Sequence, residues 1–282
     1  MKVVLFCGGL GMRLREHAEN IPKPLVSIDQ RPILWNVMKY YAHWGHKDFI
    51  LCLGWKGEAI KNYFLNEQAK VSNDLVLSGN RTANRIETEI YDWKITFVDT
   101  GIEANVGQRL MAVRPYLDAD EVFFANYTDG LSDLPLPRMI RFFHDRDATA
   151  AFIAVRPHQS WHAVDISNDG AVKNVQPISD CGKWMNGGFF VLHERIFDFM
   201  EDGDELVEEP FRRLLARRQL FAMKYDGFWS CMDTFKDKQR LEDMVARGDT
   251  PWKVWKESPA IQEDGLRDGT ADLELLKQPA QP

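Results

Sequence analysis

The chain reads as an α/β protein, a mostly parallel sheet between helices with a smaller strand-rich part toward its second half. Three observations lead there. Apolar runs bounded by glycine or proline alternate with helix-periodic stretches, so that Val3–Cys7, Ile33–Tyr41, Asp48–Leu53 and Glu58–Phe64 follow as strand, helix, strand, helix. From about residue 149 strands and tight turns take over, with Asn168-Asp169-Gly170 between two alternating runs as a hairpin signal. Of 282 residues 45% are hydrophobic, with nine Trp and 17 Phe, enough for a substantial core.

The first strand stops at Gly8-Gly9, and Gly11, Arg13 and Lys23 follow. Glycines after a buried strand let backbone N–H groups approach a ligand, and a cluster of such donors suits phosphate oxygens. Arg13 offers a forked, permanent charge, and Pro22 and Pro24 stiffen the backbone that presents Lys23. The stretch reads as an anion site at a strand end. A phosphate loop would need Ser or Thr behind its lysine, and the dinucleotide fingerprint would need a glycine where Leu14 stands.

Pro32 and Gly45 punctuate the first helix, and His43 and His46 near its end read as core or surface histidines or as a metal pair. Residues 66–93, which carry Arg81, Arg85, Glu87 and Glu89, read as a polar surface insertion. Ile95–Asp99 returns to strand. Gly107 and Arg109 then open a helix ending near Tyr116, where Arg109 either holds nucleotide or is an exposed helix arginine. The strand Glu121–Ala125 runs into Asn126-Tyr127-Thr128-Asp129-Gly130. In an open parallel sheet the ligand crevice lies outside the carboxyl ends of the strands. Asp129 is therefore a turn residue or a metal-facing carboxylate beside the Gly8 loop.

A helix over Pro135–Arg146, a strand over Thr149–Val155 and the hairpin from Trp161 to Val175 follow. Asn186-Gly187-Gly188 then leads into the strand Phe189–Leu192. Helices are expected over Ile196–Met200 and Pro210–Arg218, and strands over Leu220–Lys224 and Phe228–Cys231. Asp233 precedes the capping box Thr234-x-x-Asp237, so it is a cap or a second metal carboxylate. Residues 257–282, charged and broken by Pro and Gly, read as a loosely held tail.

Composition narrows the function. A net charge of −7 argues against a nucleic-acid binder, though not against small anions met by a local positive cluster. The four cysteines are scattered, which suits free thiols in a reducing compartment. No apolar run reaches membrane-span length and no signal-peptide pattern opens the chain, so a cytoplasmic location is expected.

GGLGMRL followed by PKP resembles the signature of sugar-phosphate nucleotidyltransferases. The resemblance runs to about Trp255 through RPILWNVMKYY, KDFILCLGWKGEAIKNYF, VDTG with GQRL, TDG, MNGGFFV, GFWSCMDT and PWKVW. GWKG, MNGGFFV and PWK resemble the cytidylyl branch, closest to the glucose-1-phosphate cytidylyltransferases. This resemblance implies a Rossmann-like mixed, mostly parallel sheet in one domain over residues 1–256. Residues 1–147 would form the nucleotide-binding half and 148–256 the acceptor-binding half. It implies CTP and a phosphorylated small-molecule acceptor as partners, Mg²⁺ as cofactor, and pyrophosphate release. The CDP-activated product would serve surface-polysaccharide biosynthesis. The protein would be a homo-oligomer binding neither nucleic acid nor membrane. By the same resemblance Lys23, Arg13 and Asp129 are catalytic, and Asp129 and Asp233 are metal ligands. Leu5, Cys7, Gly8, Gly9, Gly11, Met12, Arg109 and Thr128 would bind nucleotide, and Trp161, His162, Lys183, Asn186 and Gly187 the acceptor.

The departures fall on the acceptor side. Thr128 stands where the family has a glycine, and Trp161-His162 where it has Phe-Gly. The lysine of a Glu-Lys-Pro segment falls at Pro177, with Lys183 nearby as a substitute. The acceptor is accordingly expected to differ from glucose 1-phosphate, the alternative being drift within a pocket for the same sugar. Two other classes compete: a GT-A-like glycosyltransferase, for which Thr128-Asp129-Gly130 offers only one carboxylate, and a nucleotide-binding regulatory module without catalysis. Pyrophosphate marks the nucleotidyltransferase, free nucleotide diphosphate the glycosyltransferase, and CTP binding without pyrophosphate the regulatory module.

Overall fold

The computed structural model describes residues 1–9, 21–72, 92–117, 122–157 and 161–256. In chain order the elements begin with β1 (Val3–Phe6), β2 (Ser27–Ile28), β3 (Arg31–Pro32) and α1 (Ile33–His43). β4 (Asp48–Leu53), α2 (Gly57–Ser72), β5 (Lys94–Asp99), α3 (Val106–Val113) and β6 (Val122–Tyr127) complete the nucleotide-side pattern. β7 (Gly130–Ser132), α4 (Leu136–His144), β8 (Ala150–Val155), β9 (His162–Ile166) and β10 (Val172–Pro177) come next. The remainder is β11 (Met185–Asn186), β12 (Phe190–His193), α5 (Glu209–Arg217), β13 (Leu220–Lys224), β14 (Trp229–Cys231) and α6 (Phe235–Ala246).

The sheet is mixed and mostly parallel, as expected. β1 sits between β4 and β6 and is parallel to both, and β5 extends the sheet beyond β4. Central strands buried on both faces read as continuous apolar runs, which is why VVLF and DFILCL carry no alternation. β12 runs antiparallel between β6 and β8, while β13 is parallel to β8. The ends of β1, β4, β5, β6, β8 and β13 therefore share one carboxyl edge.

Alternate side chains feed two cores. Leu5, Phe49 and Phe124 pack with α1, α4 and the closing Trp252, while Phe6, Phe123 and Phe190 pack with α3 and α5. The closing PWKVW is anchored rather than loose. Trp252 is fully buried, Trp255 meets Trp35 edge-on at 6.0 Å, and Lys253 pairs with Asp29.

Some elements differ from expectation. α2 continues past Phe64, because its pattern lacks a breaker there, so the polar insertion begins as helix; its residues 73–91 lie outside the described residues, as does the tail 257–282. The helix expected at Ile196–Met200 is a 3₁₀ segment, Glu194–Phe199. The β2–β3 hairpin turns through Asp29 and Gln30, both at positive φ, without the glycine that usually marks such a turn. His43 and His46 pack on separate rings, Trp44 and Phe124. Among the described residues no helix is long and apolar enough to cross a membrane.

Candidate active site

Two short strands bring the carboxylates together. β7 and β14 pair antiparallel with Cys231 opposite Gly130, and the Met232 amide donates to the Asp129 carbonyl at 2.9 Å. Asp129 immediately precedes one strand and Asp233 shortly follows the other, so both leave the same end of the ribbon. Lys23 arrives from a 3₁₀ turn, Lys23–Leu25, held between Pro22 and Pro24. Its Nζ donates to Asp129 Oδ2 at 2.6 Å and to Asp233 Oδ1 at 2.7 Å. Burial works against the Lys23 charge, but the attraction and hydrogen bonds of the two carboxylates outweigh it and hold the ammonium above the ordinary lysine value.

The two sequence readings of Asp233 separate here. Thr234 caps α6, its Oγ1 accepting from the Asp237 amide at 3.2 Å while Asp237 accepts from the Thr234 amide at 2.8 Å. The Asp233 side chain is thereby left to face Lys23.

These groups line a cavity of about 450 Å³ over the carboxyl edge, with Phe6, Cys7, Gly8, Gly9 and Thr128 on the same wall. Thr128 ties the strand ends together by donating from Oγ1 to the Phe6 carbonyl at 3.2 Å. Ala104, Asn105, Val106 and Glu205 close the far side. Sequence reasoning missed this group. The Asn105-x-x-Gln108 capping box was a legible signal for the α3 start. Glu205 had none: it arrives on a turn packed against Gly107, where an added Cβ would lie 2.2 Å from the Asp204 carbonyl oxygen. Glu205 accepts from the Val106 amide at 3.2 Å, and burial foremost raises its carboxyl above the ordinary range.

Arg109 reaches the cavity wall, with its guanidinium turned to the loops around it. Its Nη1 donates to the Leu53 and Gly101 carbonyls and to Thr100 Oγ1, at 3.1, 2.9 and 2.6 Å. Its Nη2 donates to the carbonyls of Gly8 and Ile102, at 3.1 and 3.3 Å. The buried guanidinium thus knits together the loops after β1, β4 and β5. Gly8 is glycine for a steric reason, since a Cβ there would lie 1.9 Å from Arg109 Nη1.

Other expected site residues divide. Leu5 lies mid-strand, its side chain fully buried in the core facing α1, and does not line the cavity. Trp161 and His162 sit on the exposed β9–β10 hairpin, Trp161 with 67% of its surface accessible, and neither they nor the exposed Lys183 line the cavity. Asn186 does not line it, and its Oδ1 accepts from the Gly188 amide at 2.9 Å. The Gly187 carbonyl accepts from Trp229 Nε1 at 2.8 Å. Gly11, Met12 and Arg13 lie outside the described residues.

Asp129 and Asp233 fit a hard divalent cation on one structural ground: their oxygens already converge on a single positive centre, the Lys23 ammonium. Magnesium commonly takes one or two protein carboxylates together with phosphate oxygens and water.

An acidic pair and a lysine beside a glycine turn over a parallel-sheet edge make a crevice suited to phosphate groups. No protein-family model matches the chain. It is 39% identical over 262 residues to a glucose-1-phosphate cytidylyltransferase of Salmonella typhimurium, covering 91% of this chain and all of the relative. It is 35% identical over 257 residues to a probable glucose-1-phosphate cytidylyltransferase of Bacillus subtilis, covering 90% and 100%. Its fold matches the crystal structure of a putative glucose-1-phosphate thymidylyltransferase from Bacillus anthracis, with a TM-score of 0.64 at 13% identity over 87% of this chain and 95% of that one. The chain belongs to the glucose-1-phosphate cytidylyltransferase family of sugar-phosphate nucleotidyltransferases. It is a nucleotidyltransferase.

Proposed function

We propose that the chain moves CMP from CTP to a phosphorylated acceptor other than glucose 1-phosphate, releasing pyrophosphate and giving a CDP-activated product for surface-polysaccharide synthesis. The observation that carries this reading is Lys23 bound by Asp129 and Asp233 beside the Gly8–Gly9 turn. An oxygen of the acceptor phosphate attacks the α-phosphorus of CTP, and the bond to pyrophosphate breaks in line. The nucleophile is already an anion, so no side chain need remove a proton. The work left to the protein is to bring two anions together and hold them aligned. Asp129 and Asp233 would hold Mg²⁺, which would supply positive charge against the phosphate oxygens. Lys23, fixed by its two prolines, meets the same oxygens with a permanent charge. The Gly8–Gly9 backbone and Arg13 cradle the triphosphate, and Arg109 keeps that loop in register. Residues 1–147 supply the nucleotide half and 148–256 the acceptor half.

The acceptor claim draws support from Pro177, which ends β10 where a phosphate-binding lysine was expected and brings no charge. The test is incubation with CTP and Mg²⁺ against sugar 1-phosphates, phosphoramidates and phosphonates, reading pyrophosphate. Release with one of these above the rate with glucose 1-phosphate is expected. Fastest release with glucose 1-phosphate would overturn the acceptor claim, and none with any member would overturn the transfer.

A further inference from the structure

We propose that Arg156, its guanidinium over the Trp184 ring with Lys224 beside it, forms the subsite that binds the acceptor's phosphate. This rests on the transfer reading above and names the cation that it lacks on the acceptor side.

The placement follows from the sheet. β8 runs parallel to β13, and β12 runs antiparallel to both β8 and β6. Arg156, just past β8, and Lys224, the last residue of β13, therefore stand on the same carboxyl edge as the cavity. β11 pairs with the end of β8, Met185 opposite Val155 and Asn186 opposite Ala154, so Trp184 emerges beside Arg156. Alternation fixes the face. Ile153, Val155 and Met223 point into the core under α1 and α4, which turns Arg156 and Lys224 to the opposite side. That side carries Phe190 and Tyr127, and Tyr127 lines the cavity. Gly188 lies against Tyr127, and from it the chain leads back through Asn186 to Trp184 and so to Arg156.

Charge supplies the reason. The cavity wall holds two cationic side chains among the described residues, Lys23 and Arg109; Arg109 is committed to backbone carbonyls, and Lys23 shares its single charge with two carboxylates at the nucleotide side. Asp129, Asp233 and Glu205 leave the wall acidic. An arriving phosphate dianion needs positive charge from the adjoining edge. Arg156 has its guanidinium carbon 4.0 Å from the centre of the Trp184 ring, and Lys224 Nζ lies 5.4 Å from it. Among the described residues neither cation is paired with a carboxylate. Stacking orders a guanidinium without occupying its N–H edge, the fork that matches two phosphate oxygens.

The experiment is calorimetric titration of inorganic phosphate into the full chain saturated with Mg²⁺ and α,β-methylene-CTP, whose α,β bond does not transfer. Arg156→Gln should weaken phosphate binding on the order of 10–100-fold, and Arg156→Lys should recover part of it. Trp184→Leu should fall between, because the charge remains but loses its platform. Affinity for the CTP analogue should stay within about twofold in every variant, which also shows that each is folded. Unchanged phosphate affinity in Arg156→Gln, no phosphate binding by the wild type, or an equal loss of analogue binding would overturn the subsite. Phosphate binding through Arg156 with no pyrophosphate from any acceptor would retire the transfer and keep the subsite. Normal turnover of Arg156→Gln at subsaturating acceptor would do the reverse.

Discussion

Replacing Lys23 by Met removes one ammonium and leaves its packing volume nearly unchanged. The contacts of 2.6 and 2.7 Å to one nitrogen hold the Asp129 and Asp233 oxygens within about 5 Å of each other. Two unit charges at that separation repel by about 3 kcal/mol at an effective dielectric of about 20. The side chains of Asp129 and Asp233 are 25% and 40% exposed, so solvent screening lowers the effect to about 1–2 kcal/mol. Lys23→Met should therefore lose about 1–2 kcal/mol in urea unfolding without divalent ion. Added Mg²⁺ should stabilise the variant more than the wild type, because no ammonium then competes for the carboxylates. Turnover should fall on the order of 10²–10³-fold. A variant as stable as wild type without Mg²⁺, with the same response to it, would refute the reasoning.

Two further perturbations test the surroundings of the site. Gly8→Ala puts a Cβ onto the Arg109 guanidinium, so it should cost about 1–3 kcal/mol of stability and weaken CTP binding; thermal unfolding and a CTP titration that match wild type would count against the clash. His46, half-buried beside Phe124, is pushed down to about 4 by that partial burial, with the amino terminus adding to it. The unfolded chain takes up this proton near pH 6.5 and the folded chain does not, so stability is intact above about 6.5 and falls toward pH 4, by about 3 kcal/mol in all. Urea midpoints of His46→Gln should show a flatter decline across that window, and an unaltered slope would rule His46 out as its source.

Much of the fold was legible because its signals are local. VVLF and DFILCL announce buried parallel strands by unbroken apolarity, and Asn168-Asp169-Gly170 announces its hairpin by turn chemistry. Lys23 between prolines, Asp129 after a strand and Asp233 before a capped helix were each visible, yet only the β7–β14 ribbon, two three-residue strands, brings the carboxylates together. Strands that short carry no periodicity. Arg109 was found, but the direction of its guanidinium depends on carbonyls from three loops, which no spacing within α3 reveals. Glu205 and Arg156 were missed for a related reason: each joins the site through packing between segments distant in sequence. Trp161 and His162 were expected at the acceptor because of where they fall in a motif, whereas the two-stranded hairpin that carries them stands outside the main sheet.

The account depends most on Lys23, Asp129 and Asp233 forming the centre of nucleotidyl transfer. The direct measurement follows CTP labelled at the α-phosphate, with Mg²⁺ and the preferred acceptor, through wild type and Asp233→Asn. The account predicts label in a CDP-linked product with one pyrophosphate released for each, and a loss on the order of 10²–10³-fold in the variant. Label released as CDP, or Asp233→Asn turning over like wild type, would contradict it.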